Sequence, residues 1–149
     1  MAAQRTNPDR RTLLSGAASL LAVTVLATPA RAQATRIQDR FGIIYFFAQS
    51  CGACREQGPI LRQLSDTTGI EVMAVSEDGG PSEDFPHYRV DTGQRTRMGI
   101  AGNATPTLAL FDTRTHQAIE IGSGVVPADE ILRRITLVAR KLQSEGSAR

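Results

Sequence analysis

The chain has 149 residues, 41% of them hydrophobic and 21% charged, which fits one ordinary globular domain. Its formal net charge of +2 comes from the N-terminal segment, because residues 33–149 hold 13 basic and 14 acidic residues. This balance excludes a basic nucleic-acid-binding surface, and a count of two cysteines excludes both a multi-disulfide scaffold and an all-cysteine zinc site.

Residues 1–32 have the three parts of an export signal. The pair Arg10-Arg11 precedes a mostly apolar run over residues 13–27, and Ala30-Arg31-Ala32 then matches an A-x-A cleavage site. The run is shorter than the roughly 20 residues that a membrane-spanning helix needs. We therefore predict a signal cleaved before Gln33 and export to the periplasm. An uncleaved membrane anchor and a buried helix are the alternatives, and the arginine pair leaves both the Sec and the twin-arginine routes open.

The first half of the remaining chain predicts a strand, a helix and a second strand. Residues 42–48 are apolar without alternation, which indicates a strand buried on both faces, as in a parallel sheet. Helical spacing of apolar residues predicts a helix to about Asp66, ended by Gly69. Residues 70–75 then predict the second strand.

The second half begins with loop signals over residues 76–92, a segment in which four acids are predicted to be solvated: Glu77, Asp78, Glu83 and Asp84. A short helix is predicted at 94–98. Two strands, 107–111 and 118–121, are joined by a hairpin-type connection, and Gly122 and Gly124 end the second of them. An apolar stripe at helical spacing predicts a closing amphipathic helix over residues 128–142.

The candidate chemistry lies in Cys51-Gly52-Ala53-Cys54, between the first strand and the first helix. A helix N-terminus presents free backbone N–H groups and the positive end of the helix dipole, and both stabilise a thiolate at Cys51. Cys54 lies one helical turn further in, within reach of a disulfide to Cys51. We predict that Cys51 exchanges disulfides with substrates and that Cys54 resolves the mixed disulfide.

A second element is Thr105-Pro106, directly before a predicted strand. Proline cannot donate to a strand ladder, and a proline at this place is consistent with a cis peptide bond in a tight turn. The sequence alone does not assign the isomer.

These elements together resemble the thioredoxin fold, in which a strand–CxxC–helix unit, a proline at Pro59 and a later Thr-Pro occur in this order. A further set of motifs resembles the conjugal-transfer TraF/TrbB family of periplasmic thioredoxin-like proteins. The motifs are Asp78-Gly79-Gly80, Phe85-Pro86, Asp91-Thr92-Gly93-Gln94, Thr105-Pro106-Thr107 and the pair Gly122 and Gly124. The resemblance implies an α/β thioredoxin-like domain over residues 33–149, with a central mixed sheet of about four strands flanked by helices.

The resemblance also implies a function. TrbB-like members keep the CxxC and act as disulfide isomerases that support pilus and mating-apparatus assembly, whereas TraF-like members can lack the cysteines. By the same likeness, Pro106 is a cis-proline that faces the disulfide, and Thr105, Gly52 and Ala53 contact the substrate. The expected partners are exported proteins with cysteines or disulfides, a membrane or periplasmic redox partner, and conjugation or pilus-assembly proteins. No cofactor, metal or nucleic acid is expected.

Two departures from thioredoxin-like proteins bear on the direction of the reaction. Thioredoxin reductants carry a buried acid where this chain has Tyr45, and an aromatic residue usually stands where it has Ser50. The first departure argues against an efficient reductase. A reductase and a non-catalytic assembly or chaperone subunit remain the alternative functions. An inert structural disulfide and a zinc half-site with His87 or His116 are the alternatives for the cysteines.

Overall fold

The structure is a computed structural model that describes residues 37–147. The export signal predicted for residues 1–32 lies outside the described residues. Residues 37–40 are helical, and five strands and three further helices follow them. The strands are β1 (Phe41–Phe47), β2 (Val72–Ser76), β3 (Tyr88–Val90), β4 (Thr107–Asp112) and β5 (Gln117–Ser123). The helices are α1 (Gly52–Thr68), α2 (Gln94–Arg97) and α3 (Ala128–Ser147).

The strands form one mixed sheet in the order β3-β2-β1-β4-β5. Strand β1 lies at its centre, parallel to β2 and antiparallel to β4. Strand β3 is parallel to β2, and β5 is antiparallel to β4. The carboxyl end of β1 therefore lies beside the carboxyl end of β2 and the amino end of β4, and the loops of these three strands meet at one edge.

The core lies on both faces of β1, as its unbroken apolar run predicts. On one face, Tyr45 and its same-face neighbours pack with Leu61 of α1 and Ile135 of α3. On the other face, Ile44 and Phe46 pack with residues of the second core cluster, around Val75, Ile100 and Ala109. Burying a large apolar side chain contributes roughly 2 kcal/mol. The central strand is therefore the largest single contributor to the core.

Helix α1 begins at the end of a short turn after β1 and ends where the sequence predicts. Gly69 has φ 73° in the left-handed region, and its N–H donates to Ser65 O at 2.8 Å. The fully buried amide of Gln57 fixes the helix to the loop before α3. Its Nε2 donates to Val126 O at 3.3 Å, and its Oε1 accepts from Val126 N at 2.6 Å. The amide of this buried polar side chain is therefore paired on both sides.

Most predicted elements are confirmed, with two corrections. The segment predicted as a loop contains β3, which has only three residues and no alternation and is a strand because Ala74–Ser76 pair with it. The sheet therefore has five strands rather than about four. Gly122 does not end β5 but lies inside it, opposite Leu108. A Cβ there would lie 2.9 Å from both Val126 Cγ2 and Arg134 Nη1, so close packing requires the glycine.

Candidate redox site

The two cysteines lie at the carboxyl end of β1 and the start of α1, joined by a disulfide with a Cα–Cα separation of 5.2 Å. Cys51 is the N-cap residue of α1, and its Sγ accepts a hydrogen bond from Cys54 N at 3.1 Å. Cys51 is half-buried, whereas Cys54 is 5% exposed. The structure thus places one sulfur within reach of an outside molecule and the other beneath it, as the spacing predicts.

Thr105 and Pro106 lie directly beside this disulfide. Their peptide bond is cis, and Thr105 O is 3.4 Å from Cys51 Sγ. Pro106 is buried, and its own carbonyl accepts from Gly124 N at 2.8 Å. Between the cysteines, Gly52 is exposed and Ala53 is half-buried. The structure therefore brings together every residue that the sequence singles out for the site, while their roles toward a substrate remain predictions.

Asp78 holds the turn that leads into Cys51. Its carboxylate accepts hydrogen bonds from Gln49 N at 3.1 Å, Ser50 N at 3.3 Å and Gly80 N at 3.0 Å. These backbone donors, with that of Gln49 first, lower the pKa of Asp78 to about 2. The sequence identified this aspartate only as part of an Asp-Gly-Gly loop signal. Aspartate side chains in such turns tend to accept hydrogen bonds from backbone N–H groups, and this tendency could have predicted the contact.

Arg95 holds the other side of the site. This buried arginine of α2 pairs with Glu77 and donates to Ala104 O at 3.0 Å and to Thr107 Oγ1 at 3.1 Å. Its guanidinium also lies 5.1 Å from the centroid of the Phe46 ring. The prediction of a solvated acidic loop is therefore wrong for Glu77, which is half-buried and paired. No local sequence signal marks this contact, because the partners lie on three separate segments.

Tyr45 occupies the strand position beneath Cys54. The side chain is 1% exposed, and its hydroxyl donates to Cys54 O at 2.8 Å. Burial, and then the negative charge of Asp84, raise the pKa of Tyr45. The hydroxyl therefore stays protonated and acts as a hydrogen-bond donor. The sequence predicted a core residue, which is confirmed, but not this contact with the redox pair.

The two histidines do not join the site. His87 and His116 are both exposed, as are Arg55 and Glu56 on the first turns of α1. Among residues 37–147, no group of three or more His, Cys, Asp or Glu side chains is arranged to hold a metal ion. No helix in this part of the chain is both long enough and apolar enough to cross a membrane.

Comparison with solved structures supports the fold. The pneumococcal exposed lipoprotein thioredoxin Etrx1 of Streptococcus pneumoniae strain TIGR4 superposes with a TM-score of 0.52 at 20% identity, covering 69% of this chain and 88% of that one. A thioredoxin-related protein from Neisseria meningitidis serogroup B has a TM-score of 0.50 at 16% identity, covering 68% and 86%. The fold is therefore thioredoxin-like, as the sequence predicts.

Comparison of sequences gives the family. Protein TraF of Escherichia coli strain K12 is 23% identical over 104 residues, which cover 70% of this chain and 41% of that protein. The chain thus spans about two-fifths of the length of this curated relative. The sequence profile of the TraF family, described as F plasmid transfer operon protein, matches residues 10–136, which is most of the chain. The chain therefore belongs to the TraF family, and its disulfide-bonded cysteine pair lies on a thioredoxin-like fold.

Proposed function

We propose that the protein is a thiol–disulfide oxidoreductase that forms or isomerises disulfides in exported proteins. One observation carries the proposal: a half-buried Cys51 caps a helix, is joined to a buried Cys54, and lies 3.4 Å from the carbonyl of Thr105. A disulfide closing so small a loop restricts the unfolded chain little and is a poor structural staple. Its position at an accessible helix N-terminus suits exchange with another molecule instead.

The surroundings of Cys51 favour its thiolate once the disulfide is reduced. The N–H of Cys54 already points at Cys51 Sγ, 3.1 Å away, and the helix dipole adds a positive potential at the same end. Both stabilise negative charge on sulfur, and the thiolate is the nucleophile in disulfide exchange. Cys51 is therefore the attacking residue.

The cycle conserves atoms and electrons in both directions. In the isomerase mode, the Cys51 thiolate attacks a substrate disulfide, a Cys51–substrate disulfide forms, and one substrate thiolate leaves. Rearrangement within the substrate, or attack by Cys54, then releases Cys51. In the oxidase mode, the Cys51–Cys54 disulfide is reduced while a substrate dithiol is oxidised.

The backbone beside Pro106 supports binding of extended substrate segments. Thr105 lies two residues before the start of β4, and its carbonyl faces the disulfide. An extended segment can pair with such a backbone edge while its cysteine reaches Cys51. Gly52 and Ala53 then contact the substrate from the other side of the sulfur.

The setting we propose is conjugative transfer in the periplasm. The family match to an F plasmid transfer operon protein and the export-signal pattern of residues 1–32 support it. The substrates would be cysteine-containing exported proteins, including conjugation or pilus-assembly components. A membrane or periplasmic redox partner would reset the pair.

The reduction potential of the Cys51–Cys54 couple tests this function. We expect a value of about −120 to −200 mV, the range of oxidants and isomerases. A value near roughly −270 mV would indicate a reductase, and one below about −300 mV a structural disulfide. Either result would contradict the proposed direction.

Cysteine variants complete the test. Cys51→Ser should abolish refolding of a scrambled disulfide protein, whereas Cys54→Ser should accumulate a mixed disulfide visible as a mass increase. If the Cys51→Ala/Cys54→Ala double variant supports conjugation as well as the wild type does, the protein is an assembly subunit and the proposal fails.

A further inference from the structure

Closing the redox cycle requires that Cys54 lose its proton. Cys54 is 5% exposed, and burial in apolar surroundings disfavours the charged thiolate. A base near this sulfur would relieve that cost. Tyr45 cannot be that base, because its hydroxyl already donates to Cys54 O and keeps its proton.

An open cleft of about 360 Å³ is lined in part by Cys54. Cys54, Tyr45 and Asp84 are among the residues that line it, so the cleft connects a thiol, a phenol and a carboxylate contributed by three different segments. The volume is sufficient for several water molecules, since a water occupies roughly 30 Å³ in the liquid. The cleft is therefore large enough for waters that would relay a proton between Cys54 and the Asp84 carboxylate.

The Asp84 carboxylate is seated against α1 one helical turn from Cys54. A Cβ on the buried Gly58 would overlap its Oδ2 and lie 3.0 Å from its Cγ. Side chains of a helix lean toward its N-terminus, so the space above Gly58 points toward the turn that holds Cys54. The glycine leaves room for a carboxylate at this place.

The neighbour of Asp84 fixes the loop that carries it. Phe85 is 6% exposed and packs on Tyr45 with ring centroids 5.7 Å apart. None of the ion pairs in the described part of the chain includes Asp84. The packing of Phe85 and the space above Gly58 thus position the carboxylate, which forms no ion pair with another side chain of the described residues.

We propose that Asp84 accepts the proton of Cys54 through this cleft when Cys54 resolves the mixed disulfide. The inference rests on the proposed function. In this step the Cys54 proton passes to the Asp84 carboxylate, a Cys54–Cys51 bond forms, and the Cys51–substrate bond breaks. The substrate thiolate leaves with the electron pair and takes up a proton from solvent or from Asp84. This is the release step of the isomerase mode, in which the Cys51–Cys54 dithiol is oxidised and the substrate disulfide held by Cys51 is reduced.

Three other ionisable groups face the same cleft: Tyr45 from β1, Arg55 from α1 and Glu83 from the loop of Asp84. Arg55 and Glu83 are exposed, and Tyr45 keeps its proton. Glu83 therefore serves as a matched control, because it is an acid of the same loop and lines the same cleft, while the three atoms nearest to a Cβ on Gly58 all belong to Asp84.

The experiment separates the two steps of one reaction. The reduced protein is mixed with one equivalent of 5,5′-dithiobis(2-nitrobenzoic acid), an aromatic disulfide whose released thiolate absorbs visible light. The first release reports attack by Cys51, and the second reports resolution by Cys54. Rates are measured in a stopped-flow instrument across the pH range for the wild type and each variant.

We expect Asp84→Asn to slow the second release at least about tenfold between about pH 6 and 7, since loss of a general base removes an acceleration of this order or more. The first release should change less than about twofold, and the deficit should shrink in more alkaline solution, where the thiol ionises without an acceptor. Asp84→Glu should keep most of the rate, and Glu83→Gln should match the wild type.

Gly58→Ala is an independent test, because the added methyl group displaces the Asp84 carboxylate without removing it. Alanine is the better helix former by about 1 kcal/mol, so the intrinsic stability of helix α1 increases with this change. We expect the second release alone to slow. An unchanged second release in both Asp84→Asn and Gly58→Ala, or equal slowing of both phases, would overturn the role of Asp84. A wild type that releases a single equivalent would overturn the proposed function itself.

Discussion

The two ends of β1 carry similar ion pairs that differ in what lies next to them. At the amino end, Arg40 donates to both carboxylate oxygens of Asp112, at 3.1 and 2.6 Å. At the carboxyl end, Arg95 pairs with Glu77 and with the backbone of the loop before Pro106. Both pairs join separate segments, but only the second holds the loop whose Thr105 carbonyl lies 3.4 Å from Cys51 Sγ. The same arginine–carboxylate chemistry therefore joins strand ends at one side of the sheet and holds the loop of the candidate substrate surface at the other.

Breaking the ion pair at the amino end of β1 should give the largest change in stability. Asp112 is 1% exposed and also accepts from Arg114 N at 2.9 Å, so Asp112→Ala leaves the half-buried Arg40 guanidinium and the Arg114 N–H without a partner. We expect a loss of about 3–5 kcal/mol in the free energy of unfolding, measured with urea. The rate of thiol exchange in the folded protein should be unchanged.

Asp66→Ala is the control for this variant, because Asp66 forms an exposed pair with Arg62 on α1. Its effect should stay below about 0.5 kcal/mol. Equal losses in the two variants, or slowed exchange in the Asp112 variant, would contradict the division between the two ends.

Breaking the ion pair at the carboxyl end of β1 should cause a smaller loss of stability and should also slow thiol–disulfide exchange. Arg95→Met removes the partner of Glu77 and frees Ala101 O and Ala104 O, which should cost about 2–3 kcal/mol. Because these contacts shape the loop before Pro106, exchange with a peptide disulfide should slow more than exchange with a small aromatic disulfide.

Arg95→Lys separates charge from geometry in this prediction. Lysine restores the positive charge but not the forked set of donors. Exchange with the peptide disulfide should therefore still be slowed more than exchange with the small aromatic disulfide, though by less than in Arg95→Met. If both disulfides slow equally in Arg95→Met, the loop does not contribute to substrate binding. If neither slows, the pair has only a structural role.

Low pH should weaken the contacts of the carboxylates at both ends of β1, and here we expect the smallest difference in stability between variants. The hydrogen bonds from Arg40 hold the pKa of Asp112 below its usual value, and backbone donors hold that of Asp78 at about 2. A carboxyl group with a depressed folded-state pKa adds stability that is fully present above its unfolded value of about 3.9. This stability is lost as the pH falls through the folded-state pKa.

Urea midpoints between pH 7 and pH 2 measure this loss. The wild type should lose stability below about pH 4. Asp112→Asn should flatten the curve clearly, and Asp78→Asn should flatten it less, because the Asp78 side chain is exposed. Three parallel curves would show that neither carboxylate is linked to acid unfolding.

The sequence predicted the candidate site better than its surroundings. Cys51, Cys54 and Pro106 were found because their signals are local: a CxxC after an apolar run, and a proline before a strand. Glu77 was misplaced because its burial depends on Arg95, which lies on another segment. Asp84 carried no signal beyond an acidic loop, since its relation to Cys54 exists only across the cleft.

The sequence alone predicts the order of the main elements, the buried central strand and the position of the cysteine pair at a helix start. Each follows from hydrophobic periodicity and from residues a few positions apart. The tertiary structure decided the third strand of the sheet, the in-strand position of Gly122, and the groups that surround each sulfur. Those depend on contacts between segments distant in the chain, where pairing with a neighbouring strand and close packing outweigh local preference.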